Sequence, residues 1–461
     1  MGLETYEGAL RYLFTSTDYE KMQRVRYNAD TFSLDRMGRL LEALGSPESR
    51  FESIHVAGTK GKGSTAAILH ALALECGLKA GLYTSPHLVD IRERIRVGWE
   101  DISREDLRRL IEAARPHIDR MRTEGDAPTF FEIFTALAFR HVADVRVDLA
   151  IVETGLGGRL DATNVLKPQV SVITAISLDH TYQLGDSLAA IAREKAGIVK
   201  RGVAVVCQPQ PAEAVAVIED ACRRVSSPLV RVGQDVTYVW APAAAGGRLS
   251  VRTPRARYEG LFLPLMGEHQ AVNAATAIAA AELAGPLGER LSPERVRSAL
   301  ARVRWPGRME YVPGRPDLLL DGAHNRASME RLFEAVSRHF ASRRIVVVFG
   351  SAADKDVDGM LAVPAGLNVP LVFTRTDNPR AASPADLRER FERLGGEEAE
   401  AIPDVRAALR TAGEKAGPDG LVLVCGSLYL VGEVKGLLAS VDSAGAERRS
   451  PRKRGGQESV S

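Results

Sequence analysis

The most constraining feature of the sequence is a glycine-rich turn that joins an apolar run to a helical segment. Residues 54–57 are of the β type, residues 58–63 contain three glycines and two lysines, and residues 64–74 are rich in alanine and leucine. This order predicts a strand, a phosphate loop and a helix, because the backbone N–H groups of the turn, the positive end of the helix and the ammonium group of Lys62 all attract phosphate. The alternative is a glycine turn with incidental lysines, but the concentration of these residue types in one corner favours phosphate binding.

The spacing inside this turn departs from the usual phosphate loop. In the pattern Gly-x-x-x-x-Gly-Lys-Ser/Thr the lysine and the hydroxyl residue are adjacent, whereas here Gly63 separates Lys62 from Ser64. The variant Gly-Thr-x-Gly-Lys-Gly-Ser resembles the loop of the Mur ligase superfamily, and most closely that of its folate branch.

Length and composition limit the class of protein. A chain of 461 residues is longer than a domain with one hydrophobic core usually is, which predicts two domains. A composition of 45% hydrophobic and 26% charged residues is normal for a soluble protein. The formal net charge of +2 gives no reason to expect nucleic acid or a membrane as a partner. Residues 1–19 carry charges among apolar residues and no later run could span a bilayer, so we expect a cytoplasmic protein. The four cysteines are scattered and are interpreted as buried free thiols.

Strand-like and helical segments alternate along the chain. Apolar runs at 79–84, 147–152, 169–174 and 203–207 are separated by helical patterns. This alternation predicts an α/β fold in which the phosphate-loop domain has a largely parallel sheet. Short alternating runs with glycine turns within 236–264 predict a small antiparallel insert in that domain.

Changes in the pattern predict three regions. Residues 1–304 form the domain with the phosphate loop, and a proline- and glycine-containing stretch at 302–312 is interpreted as a linker. Renewed alternation over 305–440 predicts a second, smaller α/β domain. Residues 441–461 form a basic tail without apolar anchors, which we expect to be disordered and to solubilise the protein rather than to bind RNA.

Several polar residues stand where predicted strands end, which is where open α/β sheets bind ligands. Glu153 has the position of the acidic residue that holds magnesium in phosphate-loop enzymes. Ser85 is either a metal or phosphate contact or a turn former, and His180 is either a ligand or a hydrogen-bonded surface residue. Periodicity alone makes Lys195 a solvated helix residue.

Other candidates have an equally simple structural explanation. Thr129 and Glu132 have the spacing of a capping box at the start of an apolar helix. Phe130 and Phe131 could stack on a flat ring, although spacing alone favours a structural role. Asn273 lies in the first turn of an alanine-rich helix, where its side chain could reach a ligand or cap the helix.

The resemblance extends over nearly the whole chain, the tail excepted. Motifs similar to those of the folylpolyglutamate synthase/dihydrofolate synthase family occur in the family's order, at residues 58–64, 84–88, 153–164, 178–180, 193–198, 306–308, 321–325 and 424–427. The resemblance implies a central ATP-binding domain, a C-terminal ligase domain, a monomer, and an amide ligase that uses ATP and Mg²⁺ to join L-glutamate to a pteroate or folate carboxylate through an acyl phosphate.

The same resemblance implies roles for individual residues. The ATP site would consist of Gly61, Lys62, Gly63, Ser64, Asn273, Arg308 and Asp321. Magnesium would be held by Ser85, Glu153 and His180. The pterin side of the substrate would contact Phe130, Phe131, Glu132, Leu160, Asp161 and Ala162. Catalysis would depend on Lys62, Lys195, His180 and Arg308, with Lys195 carbamylated.

Two departures and two alternatives remain. Lys60 stands where the family usually has Asn, which adds a positive charge beside the phosphates, and Arg326 stands where Pro is common. Within the family, the protein could perform polyglutamylation alone. In a different class, it could be a nucleotide-binding protein without catalysis, but the presence of Lys62, Glu153 and His180 argues against this alternative.

Overall fold

The chain divides into two compact units, Met1–Trp305 and Pro306–Ser461. The computed structural model describes residues 3–19, 22, 27–28, 31–243 and 246–449, and it describes only the backbone of 440–449. Each unit is built around its own sheet, and the predicted α/β class is confirmed for both.

The first unit alternates strands with helices. Its strands are β1 (Glu52–Ala57), β2 (Ala80–Tyr83), β3 (Ile95–Val97), β4 (Glu100–Asp101), β5 (Leu149–Glu153), β6 (Val170–Ile173), β7 (Ala204–Cys207), β8 (Leu229–Arg231), β9 (Thr237–Ala243), β10 (Gly246–Arg252) and β11 (Arg257–Leu263). Its helices are α1 (Tyr6–Leu13), α2 (Leu34–Ala43), α3 (Lys62–Glu75), α4 (Arg104–Thr123), α5 (Phe130–Asp144), α6 (Thr181–Leu184), α7 (Leu188–Lys195), α8 (Ala212–Arg224), α9 (Glu268–Leu283), α10 (Gly285–Arg290) and α11 (Pro293–Arg302).

Strand β1 lies inside the main sheet of this unit. The strand order is β4-β3-β2-β5-β1-β6-β7-β8, and all neighbouring pairs from β2 to β8 are parallel. At one edge of the sheet, β3 pairs in the antiparallel direction with both β2 and β4. Because β1 is flanked by β5 and β6, the loops that follow these three strands meet at one edge of the sheet.

Small side chains let two helices cover the sheet closely beside the phosphate loop. Helix α3 is buried at every position from Ser64 to Ala73, and α9 packs against it. Both helices are rich in alanine, which allows the close approach of their backbones. Both are buried on nearly every side, which explains why neither shows a polar face. Truncation of a fully buried residue here, such as Leu72, would cost about 2–5 kcal/mol of stability.

The predicted antiparallel insert is also present. Strands β9, β10 and β11 form a three-stranded meander in the order β11-β10-β9. Alternate side chains of β10, Leu249 and Val251, are buried in the core shared with α3 and α9. The insert thus follows the period-two pattern that its sequence shows.

The second unit has a six-stranded sheet in the order β12-β13-β17-β14-β15-β16. Its strands are β12 (Glu310–Val312), β13 (Asp317–Leu320), β14 (Ile345–Phe349), β15 (Leu371–Phe373), β16 (Ala399–Ala401) and β17 (Leu421–Cys425). Its helices are α12 (Arg326–His339), α13 (Val357–Gly366), α14 (Pro384–Arg393), α15 (Val405–Ala416) and α16 (Leu428–Arg449). All its pairings are parallel except that of β12 with β13.

Three sequence-based interpretations need adjustment. Lys195 is only 4% exposed, so the interpretation of a solvated helix residue was wrong, because the backbone of its turn packs on Gly158 and its side chain reaches the carbonyl oxygen of Gly58. The stretch interpreted as a linker ends earlier than expected, since Glu310–Val312 is a strand. Helix α16 runs to Arg449 and overlaps the region for which we expected disorder, while residues 450–461 lie outside the described residues.

All four cysteines are free and buried, which confirms their interpretation as buried thiols. Among the residues that the structure describes, no helix combines the length and the apolar character needed to cross a bilayer.

Candidate active site

The turn between β1 and α3 has the geometry of a phosphate loop. Gly61, the residue before α3, has φ of 90°, which an L side chain rarely adopts. The backbone N–H groups of Thr59 and Lys60 donate to the carbonyl oxygen of Ala175 at 2.9 and 3.1 Å. The loop is therefore anchored to the segment after β6, and its glycines leave the helix N-terminus accessible to an anion.

Two glycines of the loop are in close contact with large neighbours. A Cβ atom at Gly61 would lie 2.4 Å from Oδ1 of Asn273, and a Cβ atom at Gly63 would lie 2.7 Å from the ring of Trp305. Gly63 is the residue that distinguishes this loop from the usual phosphate loop. Its lack of a side chain is explained by the tryptophan, since any larger residue would have to displace the indole.

Asn273 supports the loop through a buried amide network. Its Oδ1 accepts a hydrogen bond from Gln208 Nε2 at 2.8 Å, and its Nδ2 donates to Gln270 Oε1 at 2.9 Å. Gln208 in turn accepts from the backbone N–H of Ala175 at 2.9 Å, next to the carbonyl group that anchors the loop. Asn273 is thus a buried support of Gly61 in this structure, rather than a helix cap.

Lys62, Glu153 and Ser85 lie together at the carboxyl ends of the strands. Lys62 Nζ is 3.7 Å from Oε1 of Glu153, and the backbone N–H of Ser85 donates to Oε2 of Glu153 at 3.3 Å. Glu153 is 4% exposed and ends β5, the neighbour of β1. The arrangement places a mobile cation, a carboxylate and a hydroxyl residue beside the helix N-terminus.

Lys60 forms an ion pair beside the same loop. Its Nζ is 2.9 Å from Oδ2 of Asp179, and both side chains are more than four-fifths buried. Asp179 also accepts a hydrogen bond, through Oδ1, from the backbone N–H of His180. His180 is exposed and immediately precedes helix α6. The lysine that departs from the family pattern therefore connects the phosphate loop to the segment that carries His180.

Lys195 contacts Gly58, the first residue of the phosphate loop, through a hydrogen bond. Its Nζ donates to the carbonyl oxygen of Gly58 at 2.7 Å. Burial, together with the positive charge of Lys62, lowers the pKa of Lys195 from 10.5 to about 7. A substantial fraction of this amine is therefore neutral near pH 7, unlike that of a surface lysine.

The residues assigned to the pterin side are divided between core and loop. Phe130 is 1% exposed and stacks between Phe14 and Phe134, whereas Phe131 is half-buried and its ring packs on Gly155. Glu132 completes the predicted capping box with Thr129. Both carboxylate oxygens of Glu132 also accept hydrogen bonds from the guanidinium group of Arg36, at 2.7–3.0 Å.

Asp161 organises the glycine-rich loop that follows β5. Its Oδ2 accepts from the backbone N–H of Leu156 at 2.8 Å, and its Oδ1 accepts from the backbone N–H of Thr163 at 3.0 Å. Burial raises the pKa of Asp161 above its ordinary value. Leu160 is half-buried and its N–H donates to the hydroxyl oxygen of Tyr27 at 3.1 Å, while Ala162 is 6% exposed.

Arg308 and Asp321 lie in the second unit, close to each other. Asp321 accepts hydrogen bonds from the backbone N–H groups of Met309 and Ala323, both at 2.8 Å. Burial raises the pKa of Asp321 and the charge of Arg308 opposes this rise. A Cβ atom at Gly322 would lie 3.3 Å from Arg308 Nη1, so the guanidinium packs on the strand end.

The second unit also has a depression where β14, β15 and β17 end. It is lined by Gly350, Ser351, Ala352, Arg375, Thr376, Asn378, Ala381, Ser427 and Tyr429. Arg375 gives it a positive group and Ser427 a hydroxyl group, which suits a small carboxylate ligand.

Sequence reasoning missed several residues that support the site. Arg36, Tyr27 and Gln208 each bind a candidate residue or its loop, but none stands in a recognisable motif. Only Gln208 had a usable signal, because it follows a predicted strand at the edge where the ligands of parallel sheets bind.

Models of two Mur ligase domains match the chain. The Mur ligase middle domain matches residues 56–281, and the Mur ligase glutamate ligase domain matches residues 307–428. The dihydrofolate synthase/folylpolyglutamate synthase of Bacillus subtilis (strain 168) is 38% identical over 407 residues, which cover 87% of this chain and 94% of that protein.

Solved structures of folate-related ligases have the same fold as this chain. The Mycobacterium tuberculosis folylpolyglutamate synthase complexed with ADP has a TM-score of 0.84 and 33% identity, covering 94% of this chain and 98% of that one. The E. coli FolC structure in complex with DHPP and ADP has a TM-score of 0.82 and 29% identity, covering 95% and 99%. This chain is thus similar to these proteins in sequence and fold along nearly its whole length.

Proposed function

Because the chain belongs to the dihydrofolate synthase/folylpolyglutamate synthase family of Mur ligases, we propose that it joins L-glutamate to dihydropteroate and to tetrahydrofolate in an ATP-dependent reaction. The observation that carries the proposal is the arrangement of Lys62, Glu153 and Ser85 around an anchored phosphate loop. Relatives with both activities and relatives named for one activity match the chain, so the two acceptors are proposed together.

The proposed reaction has two steps. A carboxylate oxygen of the pteroate or folate attacks the γ-phosphorus of ATP, which forms an acyl phosphate and releases ADP. The neutral amine of L-glutamate then attacks the acyl carbon, and the tetrahedral intermediate collapses to an amide with loss of inorganic phosphate and a proton. The protein forms no covalent bond in either step, so its task is to position groups and to neutralise charge.

The phosphate loop supplies most of the charge neutralisation. Gly61 precedes α3, and Lys62, Gly63 and Ser64 form its first turn, where the free N–H groups and the helix dipole favour the phosphates. Lys62 is held 3.7 Å from Glu153 and can move its ammonium group from this carboxylate to the transferred phosphoryl group. We assign Gly61, Lys62, Gly63 and Ser64 to the phosphates on this basis.

The proposal includes a magnesium ion, and the residues present fit it. Glu153 provides a buried carboxylate and Ser85 a hydroxyl group, which are the hard oxygen donors that Mg²⁺ prefers, and His180 is assigned as the third protein ligand. Within the described parts of the chain no three His, Cys, Asp or Glu side chains form a metal cluster by themselves. Mg²⁺ usually keeps water and phosphate oxygens among its ligands, and when bound it would neutralise the negative charge of the phosphates.

Lys195 fits the proposed carbamylation. An amine reacts with CO₂ only in its neutral form, giving a carbamate and a proton. Burial lowers the pKa of Lys195 to about 7, so that the neutral form is available at physiological pH. The carbamate would replace a buried cation with an anion near the assigned magnesium ligands, and this is the role we propose for Lys195 in catalysis.

The remaining roles belong to the acceptor and to the second unit. Phe131, Leu160 and the loop organised by Asp161 are proposed to contact the pterin ring, with Phe130, Glu132 and Ala162 packed around them. Arg308 and Asp321 are proposed to bind the nucleotide. L-Glutamate is proposed to occupy the depression with Arg375 and Ser427, because this unit matches a glutamate ligase domain.

The proposal is tested by ADP release from purified protein with ATP, magnesium and L-glutamate. Turnover with both 7,8-dihydropteroate and tetrahydrofolate is expected. Turnover with tetrahydrofolate alone would restrict the protein to polyglutamylation. Absence of turnover with both acceptors, while ATP binds, would favour the non-catalytic alternative. We also propose that the protein is a cytoplasmic monomer. Size-exclusion chromatography tests the oligomeric state, and fractionation of the source cells tests the location.

A further inference from the structure

A buried histidine lies in the strand that leads to the phosphate loop. His55 is the fourth residue of β1, pairs with Val152 of β5 and Ser171 of β6, and is fully buried. Burial and the nearby charge of Lys200 lower the pKa of His55 to about 3, so its imidazole is neutral at physiological pH. No role was assigned to His55 by its sequence or by the proposed reaction.

A directed chain of hydrogen bonds joins His55 to the loop after β5. The hydroxyl group of Thr163 donates its one proton to Oδ1 of Asp161, so in any further hydrogen bond its oxygen is the acceptor. The donor of this further hydrogen bond is Nε2 of His55, which lies 2.8 Å from Thr163 Oγ1. Because a neutral imidazole has one N–H, this proton must be on Nε2. The hydrogen bonds therefore run from His55 through Thr163 to Asp161.

The end of this chain holds the loop that we assigned to the acceptor. Asp161 binds the N–H groups of Leu156 and Thr163, and these contacts define the curvature of the loop between β5 and the turn at Ala162–Val165. Leu160 lies within the same curve. Any rotation of the Asp161 carboxylate would therefore move Leu160 and Ala162, while the phosphate loop is anchored separately at Ala175.

The polar character of His55 has a cost that packing alone does not explain. Its Nδ1 is buried and, in the part of the chain that the structure describes, has no hydrogen-bond partner. Leaving such an atom unsatisfied disfavours the folded state, whereas an apolar residue in the middle of a parallel strand would carry no such penalty. Among the described residues, the one hydrogen bond made by the His55 side chain is that with Thr163.

We propose that His55 and Thr163 are positioning residues for the acceptor, acting through Asp161 to hold the loop of residues 155–164 in its binding conformation. The inference rests on the proposed function, because it concerns the substrate side of that same site. Neither residue touches the reacting atoms. Substitution of either residue should weaken acceptor binding and leave nucleotide binding unchanged.

Two matched pairs of variants of the full chain test the inference. Thr163→Val removes the hydroxyl group at constant shape, and Thr163→Ser retains it. His55→Asn removes the donor at the Nε2 position, and His55→Gln restores an N–H group near that position. The measurements are KM for tetrahydrofolate, KM for ATP and kcat, together with the thermal unfolding midpoint of each variant.

Thr163→Val and His55→Asn are expected to raise KM for tetrahydrofolate about tenfold, with KM for ATP changed less than about twofold. Thr163→Ser and His55→Gln are expected to stay near the unaltered protein. An equal rise in both KM values, or a lower unfolding midpoint with both KM values unchanged, would reduce the chain of hydrogen bonds to a purely structural contact and overturn the inference.

Hydrogen–deuterium exchange gives a readout that does not depend on turnover. In Thr163→Val, amides of the segment 155–164 should exchange faster, while those of 58–65 should be unchanged. Absence of turnover in the unaltered protein would refute the proposed function, yet this exchange pattern would still show whether the chain holds the loop. Unchanged exchange at 155–164 would overturn the inference even if the protein is an active ligase.

Discussion

Lys195 Nζ donates a hydrogen bond to the carbonyl oxygen of Gly58 at 2.7 Å, in an environment from which water is excluded. The amine thereby contacts the first residue of the phosphate loop. A cation buried here is costly unless it loses its proton, which is why its pKa falls to about 7. This one contact has consequences for both stability and activity.

The stability contributed at Lys195 should depend on pH. Above about pH 7 the folded protein has released the proton of Lys195, whereas the unfolded chain keeps it up to about pH 10.5. The unfolded state binds more protons in this window, so folding becomes more favourable as pH rises from 7 towards 10. Below pH 7 both states are charged and the full cost of the buried cation remains.

Lys195→Met, which has no titratable group, isolates this effect. The variant is expected to be more stable than the unaltered protein at pH 6.5, and the difference should narrow at pH 9. Urea unfolding in CO₂-free buffer at both pH values measures it. A difference in unfolding free energy that is the same at both pH values would show that Lys195 does not titrate in this range.

Gly61→Ala should impair both folding and ATP binding. The substitution places a side chain at φ of 90° and a Cβ atom 2.4 Å from Asn273 Oδ1, so we expect a loss of about 2–4 kcal/mol in unfolding free energy. ATP binding should weaken as well, because the loop must move. Calorimetric titration with ATP and urea unfolding check the two effects.

Gly77→Ala is the matched control for this substitution. Gly77, just after the same helix, has φ of 74° but no atom within 4 Å of an added Cβ. It should lose about 1–2 kcal/mol from backbone strain alone and bind ATP normally. Equal effects of the two alanines on ATP affinity would contradict the importance of the Gly61 contact with Asn273.

Lys60→Asn should weaken ATP binding about three- to tenfold at low ionic strength. The substitution removes a positive charge and leaves the carboxylate of Asp179, now 2.9 Å from Lys60 Nζ, as an uncompensated negative charge beside the loop. Titration with ATP at low and high salt measures the effect, which should shrink as salt screens the charges.

A second substitution separates the two charges. In Lys60→Asn/Asp179→Asn the repelling carboxylate is also removed, so ATP affinity should recover most of the loss. If the double variant binds ATP as weakly as Lys60→Asn, then direct attraction between Lys60 and the phosphates, rather than neutralisation of Asp179, determines the affinity.

Glu132→Gln should destabilise the first unit by about 3–5 kcal/mol. Glu132 and Arg36 form a pair whose side chains are 6% and 9% exposed, and the substitution leaves the guanidinium charge buried without compensation. Glu105→Gln is the control, because Glu105 pairs with Arg108 on a surface helix with its side chain 61% exposed. Urea unfolding should show a clear loss for the first and no measurable change for the second.

The outcome at Glu132 also bears on its assigned role. If Glu132→Gln leaves stability unchanged but raises KM for the acceptor, the residue contacts substrate directly. A loss of stability with KM preserved would instead assign Glu132 to the support of helix α5, as its contacts with Arg36 and Thr129 indicate.

Local features were readable from the sequence because neighbouring residues alone determine them. The turn from β1 into α3, the capping box at Thr129 and the alternation of strands and helices each depend on a few consecutive residues, and the structure contains all three. The family was also identified from motifs, since the order of short segments along a chain needs no knowledge of distances. The comparisons confirm that identification.

Contacts between distant residues were decided only by the tertiary structure. Glu132 meets Arg36 across 96 positions, and Lys195 meets Gly58 across 137 positions. Periodicity made Lys195 a solvated residue, because a short helix gives no indication of which neighbour will cover its last turn. Strand order and helix packing determine which side chains lose water and which charges meet. These depend on the free energy of the whole core, and no local pattern in the sequence records them.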